Sequence, residues 1–366
     1  MFSILFAQII KEFLSILRDS KTRIILIGPP LAQLFIFSYA ITLEVDNATI
    51  AVFNQDTGSY SQAYIDKLSH SYMVRKIIPI YSQQQLTAVL DQRKAILNVT
   101  IPQNFSAQLA QKELPHLQVI ADGRRANAAQ IAMNYIQQIS NQFITEKLTL
   151  SKPVSPVIER HWFNPNLSYQ WYVVPSLSGV LAMIISLLLT GLSIAREREL
   201  GTFDQLLVSP ASSSEIILAK LFPPIVIGMV LGNLMITAGV VIFSVPFVGS
   251  LFLLEVALFT FMLSISAVGL CFSAISTTQQ QAILGCFALA VPLILLSGFS
   301  TPVANMPNAL QHVAYWVPLT HYLIIVQGTF LKAIPANIII EHLIPMIMVA
   351  FVSLTAATYL VRSKLQ

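Results

Sequence analysis

Between Ala195 and Lys220 the chain reads AREREL GTFDQLLVSP ASSSEIILAK, and seven charged side chains gather there: Arg196, Glu197, Arg198, Glu199, Asp204, Glu215 and Lys220. Two helix-start signatures can be read in the stretch. Thr202 with Gln205 fits T-x-x-Q and Ser212 with Glu215 fits S-x-x-E, pairs whose side chains satisfy the orphan amides of a first helical turn. Gly201 suits the left-handed position that ends a helix, and Pro210 stops whatever begins at Thr202. The spacing predicts a helix of about two turns over 202–209. Phe203, Leu206 and Leu207 would form its apolar side and Asp204 and Gln205 its polar side. That shape suits docking into a groove on a cytoplasmic protein; an ordinary solvated loop is the competing reading.

Other residue types that could do chemistry are sparse. A phosphate cradle of the form G-x-x-x-x-G-K-[ST] requires a Gly–Lys pair, and none of the 14 glycines precedes a lysine. No ATP site is therefore expected in this chain. Cys271 and Cys286 lie in apolar segments with no nearby histidine, and neither a disulfide nor a metal site is expected. His312, His321 and His342 lack the spacing of a helical metal pair. Glu255 stands in an apolar segment, where a carboxylate is a functional candidate by default; orientation toward the membrane interface is the simpler reading. Gly228 and Gly232 would allow close helix packing. Arg124 and Arg125, after Asp122-Gly123, could present two guanidinium groups to an anion, although a solvated loop is the simpler account.

The elements that must position these residues are set by composition. Of 366 residues 55% are hydrophobic and 10% charged, against about 25% charged in a soluble chain. The class is a polytopic α-helical membrane protein. The net charge of +4 comes with no basic run, and no nucleic-acid partner is expected. A bilayer crossing takes about 20 apolar residues, and six spans are predicted: Ile24–Leu43, Tyr172–Ile194, Leu221–Val245, Leu251–Ile275, Ala282–Phe299 and Leu343–Val361. The polar run Ser276–Gln281 separates the fourth from the fifth. Residues 300–342, with Pro302, Pro307, Pro318 and Pro335, are read as short helices on the outer face, partly re-entrant, with a seventh span over Val317–Leu331 as the variant. Trp162, Trp171, Tyr172, Tyr315 and Trp316 suit an aromatic interface belt.

Residues 1–23 do not read as a cleaved signal peptide. Gln8, Lys11, Glu12, Ser15, Arg18 and Asp19 share one helical face and apolar residues fill the rest, which predicts a helix lying in the membrane surface. Residues 44–170 differ in kind, holding nine acidic and eleven basic side chains. Strands are predicted at Thr49–Asn54, Val74–Ile80, Lys94–Ile101, Leu117–Ala121 and Val154–Trp162. Helices are predicted at Ser59–His70, Gln83–Gln92, Asn104–Lys112 and Asn127–Leu150. The alternation predicts an inserted α/β domain between the first and second spans. Basic residues flank the N-terminal helix, the loop after the second span and the C-terminus, which places all three in the cytoplasm and 44–170 outside.

The chain resembles permease subunits of the type-2 ABC-transporter family, in particular bacterial inner-membrane permeases of the multidrug-exporter branch with a large periplasmic domain. The matching residues are AREREL-GT-DQLLVSP at 195–210, LEV-NATIAVFNQD at 43–56, DGR-ANAAQIA-NYIQQI at 122–139, FNPNLSYQWYVVPSL at 163–177, STTQQQA at 276–282 and LLSGFSTPVANMPNALQ at 295–311. The resemblance implies a permease with no catalytic residues of its own, worked by a separate cytoplasmic ATPase that carries ATP and Mg. It implies that Glu197, Arg198, Glu199, Gly201, Thr202, Asp204, Gln205 and Leu206, with the flanking Phe203 and Leu207, meet that ATPase. It also implies a second permease, either another copy or a paralogue, and a periplasmic adaptor protein. The charge-poor spans suit amphiphilic or drug-like cargo.

Two other classes compete. An ion-gradient-driven secondary transporter would place ionisable residues mid-membrane, where only Glu255, near an edge, offers itself. A receptor sensing through its outer domain would need a cytoplasmic output domain, and the longest cytoplasmic stretch predicted is about 25 residues.

Overall fold

A computed structural model describes residues 2–18, 20–40, 48–92, 94–121, 126–148, 163–164, 168–203 and 212–363. The chain divides into two compact units, one made of residues 1–41 and 170–366 and the other of residues 42–169.

The second unit is an α/β layer structure. In chain order it contains β1 (Ala48–Asn54), α3 (Ser59–Ser69), β2 (Val74–Ile80), α4 (Gln83–Asp91), β3 (Leu97–Ile101), α5 (Phe105–Ala110), β4 (Gln118–Ala121) and α6 (Ala126–Leu148). The sheet order is β2-β1-β3-β4, with β1 parallel to both neighbours and β4 antiparallel to β3. The crossover from β1 to β2 runs one way and that from β2 to β3 runs back. Because such crossovers are right-handed, α3 and α4 fall on opposite faces. One face buries Ile50, Val52, Leu97 and Val99 against Tyr64, Leu68, Phe105, Ile136 and Phe143. The other buries Ala51 and Ile80 against Leu86 of α4. Alternate residues of β1 thus serve both cores, as the two-residue strand period requires. Tyr64 is fully buried; its hydroxyl lies 2.6 Å from Ser140 Oγ, which itself donates to the Ile136 carbonyl. Burial pushes the Tyr64 phenol up to about 12. The strand expected at Val154–Trp162 and the Arg124–Arg125 turn lie outside the described residues.

The first unit is helical: α1 (Phe2–Arg18), α2 (Ser20–Ala40), α7 (Gln170–Glu199), α8 (Ser213–Val241), α9 (Leu251–Ile275), α10 (Gln279–Leu296), α11 (Asn308–Tyr315), α12 (Pro318–Leu331) and α13 (Ala336–Ser363). Among the described residues five helices, α7 to α10 and α13, are long and apolar enough to cross a membrane. The first predicted span falls on α2, which carries Pro29 and Pro30 inside it. Helix α12 has 14 residues. At 1.5 Å per residue it is about 21 Å long, shorter than a hydrocarbon core of about 30 Å, so the seventh-span variant is not among the five.

Small and hydroxyl residues let α7 and α9 approach closely. Ser186 and Ser266 share a 2.7 Å hydrogen bond. Gly269 lies directly against Thr190 and the Leu187 carbonyl. Gly228 and Gly232 of α8 face Met262 and Leu258 of α9. Helix α12 packs at the opening end of α7: Gln327 donates to Ser176 Oγ at 2.9 Å, and Tyr322 stacks on Phe261 of α9 at 4.7 Å between ring centres. His321 Nε2 lies 2.7 Å from the Tyr315 carbonyl, and its Nδ1 lies 3.0 Å from His342 Nδ1. Among the described residues no group of three or more His, Cys, Asp or Glu side chains could hold a metal.

Candidate functional site at the charged end of the bundle

The far end of α7 carries the ERE run, and each of its three charges has a different partner. Glu197 joins a ring of four charges. Its Oε1 lies 2.6 Å from Lys11 Nζ and its Oε2 lies 2.6 Å from Lys220 Nζ. Lys220 also donates to Glu12 at 3.1 Å, and Lys11 reaches Glu12 at 3.4 Å. Positive and negative groups alternate around the ring, and its net charge is zero. It ties α1 to the end of α7 and the start of α8. Lys220 is the deeply buried member, with a side chain only 1% exposed. An ammonium so placed must be paired, and the Ser193 carbonyl adds a third oxygen at 3.4 Å. Lys11 is 52% exposed. Its partial burial works against the charge, but the hydrogen bond to Glu197 and the charges of Glu12 and Glu197 outweigh it and hold the ammonium above the usual lysine value.

Arg198 turns to α9. Its Nη1 donates to the Ala274 carbonyl at 2.7 Å and to that of Ser276 at 2.9 Å, and the guanidinium lies 5.0 Å from the Phe203 ring centre. A flat, weakly hydrated guanidinium suits this combination of ring and carbonyl contacts better than a compact ammonium. Glu199 turns to α10 and accepts from the Gln279 backbone amide at 2.6 Å and from its side chain at 3.2 Å. A carboxylate at a helix start meets orphan amides and the positive end of the macrodipole. The ERE run therefore binds α1 and α8, the end of α9, and the start of α10, in that order.

Gly201 closes α7 as its sequence position predicts. Its φ is +69°. The Gly201 amide donates to the Arg198 carbonyl at 3.0 Å and the Thr202 amide to the Glu197 carbonyl at 2.9 Å. This is the paired bonding that satisfies the last carbonyls of a helix. Among the described residues nothing lies within 4 Å of a Cβ placed at Gly201, so glycine is needed there for its backbone. Phe203 is buried. Asp204, Gln205, Leu206 and Leu207, with the rest of 204–211, lie outside the described residues. The second expected capping box is formed at the start of α8. Ser212 Oγ accepts from the Glu215 amide at 3.3 Å, and Glu215 Oε2 accepts from the Ser212 amide at 2.8 Å.

Sequence reasoning placed Lys11 and Glu12 on the polar face of the first helix, Lys220 among the charges of 195–220 and Gln279 in the polar run 276–281, but named none of them as a site residue. The available signal was charge in apolar surroundings, since Lys220 opens a long apolar run and Lys11 and Glu12 interrupt another. Their partners stand 186 and 208 residues away.

Among the described residues five helices are long and apolar enough to cross a bilayer, as in a polytopic helical membrane protein. Residues 22–359 match the family of ABC-2 transporter proteins, and the chain belongs to that family. It is 38% identical over 367 residues to the probable multidrug ABC transporter permease YbhR of Escherichia coli, covering all of both chains. It is 30% identical to the probable multidrug ABC transporter permease YbhS of the same organism, over 92% of this chain and 91% of that one. It is 28% identical to the inner membrane transport permease YhhJ, over 87% and 86%.

Proposed function

We propose that the chain is the permease subunit of an ATP-driven exporter that moves amphiphilic or drug-like compounds out of the cytoplasm or inner leaflet. A separate cytoplasmic ATPase, holding ATP and Mg, works it. The relatives named as multidrug permeases support the cargo class. The observation that carries the mechanism is the wiring of the α7 end: Glu197, Arg198 and Glu199 each bond a different element. A push delivered at Gly201 to Leu207 would then reach α1, α8, α9 and α10 together. Alternate opening follows from moving that end as one piece.

In this reading residues 1–23 form an interfacial helix and 24–43 the first of six spans. Residues 44–170 form a periplasmic α/β domain, and 171–366 the remaining five spans, with the ATPase contact at 202–209 and an outer-face segment at 300–342. Both termini are cytoplasmic, and the protein resides in a bacterial inner membrane. A second permease, as a copy or paralogue, completes the pathway. The apolar outer faces of α10 and α13, with exposed Phe287, Val291, Phe351 and Val352, are available to it or to lipid. A periplasmic adaptor would dock on the inserted domain. The chain itself is a transport subunit and not an enzyme.

The test is co-purification with the cognate ATPase followed by cargo-stimulated ATP hydrolysis in lipid. Stimulation that survives charge reversal at Asp204, or cargo movement by the purified chain alone, would overturn the reading.

A further inference from the structure

Glu255 is the only Lys, Arg, Asp or Glu between Lys220 and Lys332. It is the fifth residue of α9, about 6 Å along the helix from Leu251 at 1.5 Å per residue. It is half-buried, and among the described residues no basic side chain pairs with it. Its Oε2 accepts a 3.0 Å hydrogen bond from Asn233 Nδ2 of α8, and that same amide nitrogen donates to the Met229 carbonyl at 3.2 Å. Both partners of the nitrogen are pure acceptors, so the amide orientation is set by chemistry. Both amide hydrogens are thereby used. What remains on offer, among the described residues, is Asn233 Oδ1 and Glu255 Oε1: two acceptor oxygens and one negative charge. The surrounding face is apolar, with Val230 and Leu234 of α8 and Phe252 and Phe259 of α9 exposed.

From this we infer that Glu255 and Asn233 form a recognition point for the primary ammonium head of an amphiphile whose tail lies along the α8–α9 face. A charge with no counter-charge in an apolar setting calls for a cation, and the two open acceptors match N–H donors. An anionic head is excluded by the same oxygens. The alkyl tail would replace lipid against the phenylalanines. The inference rests on the export-permease reading for its meaning as a cargo site, but the site itself is measurable without the ATPase.

The experiment uses the full chain in phosphatidylcholine nanodiscs, a lipid without N–H donors, and measures equilibrium binding of a fluorescent dodecylammonium and its neutral dodecanol counterpart. Expected is saturable binding of the ammonium probe that weakens tenfold or more in Glu255→Gln, with the neutral probe unchanged. Asn233→Leu, which keeps the charge and removes one acceptor, should weaken the ammonium probe by a smaller factor. It stands in if the glutamine variant fails to insert. Phosphatidylethanolamine that displaces the probe would identify a lipid headgroup as the source of the same ammonium chemistry, and displacement by added alkylammonium only would identify free cargo. Equal weakening of both probes, or no change in either variant, would overturn the site. So would loss of permease pairing in Glu255→Gln with unchanged ammonium binding, since the carboxylate would then belong to a subunit contact. Failure of ATPase co-purification would sink the permease reading and leave this binding result standing.

Discussion

Lys220 Nζ lies 2.6 Å from Glu197 Oε2 and 3.1 Å from Glu12 Oε1, with the lysine side chain 1% exposed. Removing one member of a buried ion pair costs about 3–5 kcal/mol because the other charge is stranded, whereas removing both is far milder. Lys220→Met should therefore lower the thermal midpoint of the purified protein sharply. The Glu12→Gln, Lys220→Met double variant, which leaves the neutral Lys11–Glu197 pair, should recover much of the loss. A single variant as stable as the parent would mean that the ring does not hold α1 to the bundle.

Gly201→Val places a β-branched residue at φ +69°, where an L-residue costs roughly 1–2 kcal/mol. Among the described residues nothing lies within 4 Å of a Cβ at this position, so the effect acts through the backbone leading into 202–209. Membrane insertion should be retained, and cargo-stimulated ATP hydrolysis by the assembled complex should fall several-fold. Full stimulation in this variant would place the ATPase contact elsewhere.

Arg198→Lys keeps the charge but removes the planar group that reaches the Ala274 and Ser276 carbonyls and lies 5.0 Å from the Phe203 ring centre. Hydrogen bonds to charged groups contribute about 1.5–3 kcal/mol, and lysine keeps at most part of that. Faster hydrogen exchange at the α9–α10 junction, around 274–281, is the expected readout. Unchanged protection there would show that the arginine is dispensable to the joint.

Asp56 links β1 to α5 in the inserted unit. Its carboxylate accepts from the Ser106 hydroxyl and, at 3.3 Å, from the Ser106 amide. Burial opposes the charge, but the bonds from Ser106, Ser61 and Gly58 outweigh it and hold the group below the ordinary carboxylate value. A lowered folded value means the contribution is present above the unfolded value of about 3.9 and is lost as pH falls through the folded one. Asp56→Asn should thus speed exchange in β1 and α5 of the full chain at pH 7. The difference should close when both proteins are measured well below pH 3.9. A gap that persists in acid would attribute the effect to packing.

Local signals carried much of the architecture. Val74–Ile80 and Leu251–Ile275 have the same bounds in the sequence reading and in the structure, because β-branched content marks the first and the polar run Ser276–Gln281 closes the second. Gly201 and the Ser212–Glu215 box could be placed from neighbours three or four residues away. The fourth strand could be placed too, at Leu117–Ala121 against Gln118–Ala121 in the structure, but its antiparallel pairing with β3 could not, since pairing is set by tertiary packing. The partners of Glu197 and Glu255 stayed hidden for the same cause. A charge in an apolar run announces that it needs company, but only the packed helices decide whether Lys11, Lys220 or Asn233 supplies it. Glu255, read from sequence as turning to the membrane edge, has a neutral partner on the adjacent helix.

The three aromatic rings Tyr64, Phe105 and Phe143 meet at 5.3–6.5 Å between centres, and the last of them sits on α6, the final described helix of its unit. During synthesis Tyr64 and Phe105 emerge some forty to eighty residues before Phe143. A nascent chain stopped ahead of Ala126 would leave one face of the mixed sheet covered by α3 and α5 alone, without Ile136 and Phe143 of α6, a form prone to clumping. Completion of this core therefore waits on α6, the last described helix of the unit.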